Sequence, residues 1–190
     1  MLSSIHPLGE RARNNRWGLT AAAHLLGSWL GGLAVFGATA LLGVVATPPA
    51  WLALPAAAAA LVLDGRAVLR GGRVPGPRRQ VNEDWLGRYR GWVYGAGFGV
   101  QLGAGLVTIV TSAALYLALA LTVVRPAAWL LAGTVFGVGR AAPVLSSRGI
   151  DRTERLMARH ARLRALARPV ELGATAALVA VAGVVAAAVR

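Results

Sequence analysis

The 190-residue chain has no cysteine and no lysine, and only seven of its residues are acidic. Without cysteine it can form no disulfide, thiolate metal site or thiol redox centre of its own. Charge is scarce altogether, at 14% of residues against 56% hydrophobic, which leaves long stretches with none. That balance belongs to a membrane protein and not to a soluble core. All twenty basic residues are arginine, and the net charge is +13. A nucleic-acid binder would gather them into one stripe on a folded surface. Here they form three blocks between apolar runs, so the expected partner is the lipid bilayer and not nucleic acid. The bias toward Ala, Gly, Arg, Pro, Val and Leu is that of a high-GC bacterial genome, and the expected location is the bacterial plasma membrane. The opening stretch MLSSIHPLGERARNNRW is too polar, and the apolar run after it too long, for a cleaved signal peptide.

The apolar runs predict an all-α fold: a single polytopic membrane domain over 1–190, a bundle of about five transmembrane helices. The expected spans are 17–47, 50–69, 92–124, 126–146 and 170–189. Thr47, Pro48 and Pro49 end the first. The second reaches spanning length only if Asp64, Arg66 and Arg70 snorkel into the inner headgroup region. Loops 70–91 and 147–169 are expected in the cytoplasm. The first holds a turn at Pro75, Gly76 and Pro77, then Arg78 and Arg79 and the acidic pair Glu83 and Asp84. An N-inside chain with these spans puts 17 of its 20 arginines on one side, leaving Arg125 and Arg190 opposite and Arg140 within a helix. The N-terminus is therefore expected in the cytoplasm and the C-terminus outside.

Between Asp151 and Arg168, Leu156, Met157, Leu163 and Leu166 recur at near-helical spacing, with Arg152, Arg155, Arg159 and Arg162 on another face. Such an amphipathic helix lies on the inner leaflet, either to recognise anionic lipid or as a plain basic connector. Glycines four apart recur at Gly27 and Gly31, at Gly95, Gly99 and Gly103, and at Gly133 and Gly137. Each set shares a helix face and lets backbones approach closely where lipid offers no hydrophobic drive. Five glycines between Gly95 and Gly105 exceed what such a seam needs, so the third span is either tightly packed or loosened enough to bind or move.

Gln101, Thr108, Thr111 and Ser112 put polar atoms at membrane depth along roughly one stripe, although Thr and Ser hydroxyls also bond back to their own helix. Arg140 in GVGRAAP marks either a pathway or a side chain reaching the inner interface. His24 could titrate within a polar site or simply bond a neighbouring helix. His6 and Glu10 stand four apart in the N-terminal arm, too few ligands for a metal site. No catalytic constellation emerges, so neither enzyme activity nor a cofactor is expected. The stretch DGRAVLR is similar to the start of a lipid alcohol phosphotransferase motif, whose paired downstream aspartates are missing here.

Three segments, RWGLTAAAHLLGSWLGG, YGAGFGVQLGAGLVTIVTSAALY and GTVFGVGRAAP, together 51 of the 190 residues, carry a resemblance to the DsbD/CcdA-like (cytochrome c biogenesis and sulfite-exporter-like) membrane family. That family moves reducing equivalents across the bilayer and is built from two inverted three-helix repeats. The resemblance implies a similar scaffold lacking its first helix. The family's activity rests on paired cysteines that this chain does not have, so thiol electron relay is excluded. Two functions remain. One is transport of a small solute or ion, alone or as a transporter subunit, with Gln101, Thr108, Thr111, Ser112, Arg140 and His24 lining the path. The other is a membrane scaffold or assembly partner that packs through its glycine faces, as a homodimer or on another membrane protein.

Overall fold

The computed structural model describes residues 5–70, 73–77 and 84–188, and there is no strand among them. Arg78, Arg79, Glu83, the last residue of the expected final span, Val189, and Arg190 lie outside the described residues. A short helix, α1 (Pro7–Ala12), opens on Pro7, and the preceding His6 accepts the Gly9 N–H at Nδ1 over 3.1 Å. Proline at a first helical position loses no bond, because that N–H is unpaired in any helix. Helix α2 (Trp17–Ala46) runs 30 residues until Thr47 turns left-handed (φ 41°) ahead of Pro48 and Pro49. A 3₁₀ turn then leads into α3 (Ala53–Arg70). After the loop come α4 (Trp85–Arg88), α5 (Gly91–Ala104) and α6 (Ala114–Val124). Helix α7 (Trp129–Ala141) is flanked by 3₁₀ turns, and α8 (Thr153–Ala188) ends the described chain.

Among the described residues, four helical stretches are long and apolar enough to cross a membrane: Trp17–Ala46, Ala50–Arg70, Pro126–Ser147 and Thr153–Ala188. Their outward faces carry Leu41, Val45, Leu131 and Val184, all more than half exposed, while Thr20, Ser28, Asp64 and Thr122 are buried inside. Apolar residues outside and polar ones within are what a lipid solvent selects.

The expected third span, 92–124, is two helices and not one. At about 21 Å and about 17 Å, neither α5 nor α6 alone crosses a hydrocarbon core of about 30 Å. The break begins at Gly105, whose φ of +70° is left-handed and where a Cβ would strike the Phe136 ring. Five β-branched residues then follow in a row, Val107 to Thr111. Their stiff side chains crowd the preceding helical turn, so helix is the poorer choice for this stretch.

The segment 147–169 also differs from a loop. From Thr153 the chain is helical without interruption, through Pro169, to Ala188. The basic amphipathic stretch is therefore the N-terminal half of α8, continuous with the last apolar run. Arg155 and Arg159 hold it to the segment that follows α7, donating to the carbonyls of Gly149 and Pro143 at 3.1 Å each.

Glycine assembles the centre. Along the N-terminal half of α2, Gly95 meets the Thr20 backbone, Gly99 that of His24 and Gly103 that of Ser28, while Gly27 and Gly31 meet Ala96 and Val100 on α5. Helix α5 thus runs parallel to α2. Helix α6 continues in the same direction, bringing Val123 to Gly43. Helix α7 runs back antiparallel, with Gly133 beside Gly32 and Gly137 beside Ser28 and Trp29. The Ser28 hydroxyl donates to the Gly137 carbonyl at 2.7 Å, and Trp29 Nε1 donates to Thr134 Oγ1 at 3.0 Å. Helix α3 packs against α6 and α8 against α3, and Phe36, Ala57, Leu117 and Leu178 form the core there.

Candidate functional site

The break between α5 and α6 leaves helix ends inside the bundle, with unpaired carbonyls at the end of α5 and unpaired N–H groups at the start of α6. Asp64, from the C-terminal part of α3, answers the second need. The Ala113 N–H donates to its Oδ1 at 2.5 Å, and the Ser112 hydroxyl donates to its Oδ2 at 2.7 Å. Its carboxylate thus caps a helix that is not its own, at the end where the helix dipole is positive. Asp64 is 3% exposed, so it does not reach a headgroup layer as expected; Arg66 and Arg70 are exposed.

Beside the break lies a cavity of about 480 Å³, lined by Asp64, Thr111, Ser112, Arg73, Glu171 and Thr175 and walled by apolar residues including Val68, Val74 and Val110. One wall is the loop segment Pro75–Pro77, which the Tyr116 hydroxyl holds by donating to the Pro75 carbonyl. Thr111 is exposed and Ser112 half-buried at the cavity's edge.

Arg140 serves the same break from the other side. Its Nη2 donates to Thr108 Oγ1 at 3.4 Å and to the Ile109 carbonyl at 3.5 Å, the outer limit of hydrogen-bond range. Its guanidinium stands 5.5 Å from the Phe136 ring centroid, and among the described residues no carboxylate pairs with it. Arg140 holds the unwound backbone and does not line the cavity.

The expected stripe therefore divides. Thr111 and Ser112 line the cavity, Thr108 is buried against Arg140, and Gln101 sits half-buried on α5, apart from both. His24 is buried in α2 against α5, its Nδ1 without a hydrogen-bond partner among the described residues. The seven expected packing glycines all lie where α2 meets α5 or α7. Asp64 is the cavity residue that sequence reasoning misplaced. Its signal was present: an acid flanked by apolar residues, with a stem of one methylene, is poorly equipped to snorkel.

A second polar cluster closes the end of the bundle where α2 and α5 begin. Glu10 is fully buried and accepts hydrogen bonds from the Tyr94 hydroxyl, from Thr20 Oγ1 at 2.8 Å and from Arg13 Nη2 at 2.6 Å. Ser147 Oγ donates to the Ile5 carbonyl at 3.0 Å and the Leu8 N–H donates to the Ile150 carbonyl at 3.1 Å, so the arm also grips the segment that follows α7. His6 and Glu10 face different partners, and among the described residues no three His, Asp or Glu side chains gather as metal ligands.

No family model, curated protein or solved structure matches this chain.

Proposed function

We propose that the chain is a five-pass protein of the bacterial plasma membrane that passes a small solute or ion, alone or as a transporter subunit. The N-terminus lies in the cytoplasm and the C-terminus outside, and the third pass is the interrupted pair α5 and α6. The arginine asymmetry supports this orientation. The observation that carries the transport reading is the interrupted pass, with a buried carboxylate at its break facing a cavity of about 480 Å³. Irregular backbone is tolerated at membrane depth where protein buries it or it lines a cavity, and discontinuous helices of this kind build midplane binding sites in transporters. The likeness to the DsbD/CcdA-like family enters only as a likeness of helix arrangement, since the chain lacks the cysteines for electron relay.

The cysteine-free sequence makes the test direct. In membrane vesicles, Thr111→Cys and Ser112→Cys label with an impermeant thiol reagent, while Thr122→Cys, at a position 1% exposed within α6, stays protected. Protection of all three would mean a dry bundle and would remove the transport reading.

A scaffold or assembly role is the second reading. The GxxxG faces of α2, α5 and α7 are occupied by one another, which leaves α8, where Gly173 and Gly183 have open space around them, as the face for a second copy or a partner.

A further inference from the structure

We propose that the cavity beside the break binds a small hydrophobic ammonium cation, with Asp64 as its counter-ion. The inference names a ligand class for the site just described and rests on that cavity being open to solutes. Size is the first argument. About 480 Å³ lies within the range of pockets for organic molecules and is far more than a bare metal ion fills. Lining is the second. Val68, Val74, Val110 and Val170 supply apolar walls around a single buried charge, that of Asp64.

Electrical balance decides the sign. The positive end of α6 is where an anion would settle, and Asp64 already occupies it. An anionic solute would therefore meet a carboxylate. Among the described residues no guanidinium lies within 4 Å of Asp64, so its charge has no ionic partner among them. A neutral solute would leave it so. The Ala113 N–H and the Ser112 hydroxyl take one lone pair on each oxygen and leave one on each free, and the Thr111 hydroxyl stands on the same cavity wall. An ammonium group has the donors to meet these acceptors, and an attached hydrocarbon body meets the valines. The other charges that line the cavity are Arg73, which is exposed, and Glu171, more than half exposed and paired with Arg168 at 3.6 Å. Water screens both far more than it screens Asp64.

The experiment compares three probes of one shape and different charge: benzylammonium, benzyl alcohol and benzoate. Each is added while an impermeant reagent labels Thr111→Cys in membrane vesicles, with Gly149→Cys, exposed and outside the cavity, as the reference site. Benzylammonium half-protects position 111 at a concentration roughly tenfold lower than the other two probes need, a binding difference of about 1.4 kcal/mol, and leaves 149 unaffected. In the Asp64→Asn background the site still labels but the protection is lost. Equal effects of all three probes, equal slowing at 149, or protection that survives Asp64→Asn would overturn the inference while leaving an open cavity. Absence of labelling at 111 would instead overturn the transport reading and the inference together. The probe comparison needs no change at Asp64, so it stands even if that variant fails to fold.

Discussion

An aspartate reaches one methylene beyond its backbone, so the charge of Asp64 has to be met where α3 places it. It is met by the first turn of α6, 48 and 49 residues along the chain, and nothing local in the sequence announces that pairing. Removing the carboxylate leaves the buried Ala113 N–H and the half-buried Ser112 hydroxyl without this acceptor. Asp64→Ala is expected to lower stability by about 1–3 kcal/mol, with Asp64→Asn milder, as read by thermal denaturation in detergent. Arg140 acts on the same break through Thr108 and the Ile109 carbonyl. Arg140→Ala should reduce transport well beyond any loss of expression, and equal losses of both would identify a purely structural arginine. At the other end, burial and then the nearby Arg13 charge hold the His6 imidazole below its ordinary pKa range; Arg159 and His160 push the same way and Glu10 opposes them. The folded arm then binds this proton more weakly than the unfolded chain does. The contribution of His6 is full above the ordinary histidine range and is lost as pH falls through its lowered native value. Limited proteolysis of the arm should accelerate on acidification, and His6→Asn, which keeps a capping side chain, should flatten that dependence.

The helices show why some elements were legible and others were not. Helices α2 and α3 and the Pro126–Ser147 stretch follow the apolar runs and stop near the prolines and arginines that bound them. The interruption at Gly105 was harder to see, because neither charge nor proline marks it and every residue from Leu106 to Val110 suits a membrane as well as helical ones do. Hydropathy measures the solvent a segment prefers and carries no information about its hydrogen-bond pattern. What favours the break is backbone chemistry, a left-handed glycine followed by stiff β-branched residues, together with a carboxylate ready to cap the restart. Glycine spacing was the more informative pattern. Gly103→Ala and Gly137→Ala would push a methyl group into the Ser28 backbone, and each is expected to cost about 1–3 kcal/mol. Gly173→Ala and Gly183→Ala, with open space at the Cβ position, should be neutral or stabilising by up to about 1 kcal/mol through helix propensity. Thermal unfolding of the four variants in one detergent separates the two groups.

For the whole molecule, the arrangement predicts a sidedness that can be measured. In vesicles of known orientation, Gly149→Cys should label only from the cytoplasmic face and Pro48→Cys only from the opposite one, and the reverse pattern would invert the proposed topology. The two loops bearing most of the arginines would then share one side with the arm that Glu10 anchors under the bundle. Composition and order were enough by themselves to determine that this is an apolar helical chain, where α2, α3 and the Pro126–Ser147 stretch lie, and that thiol chemistry is closed to it. Those properties follow from the free energy of moving each segment between water and lipid, which is a sum over the segment's own residues. Only the tertiary structure decided that the third run is interrupted, that Asp64 caps the restart and that Thr111 and Ser112 share a cavity with it while Gln101 does not. These depend on backbone groups from distant parts of the chain satisfying one another inside a medium that offers no water to do it for them.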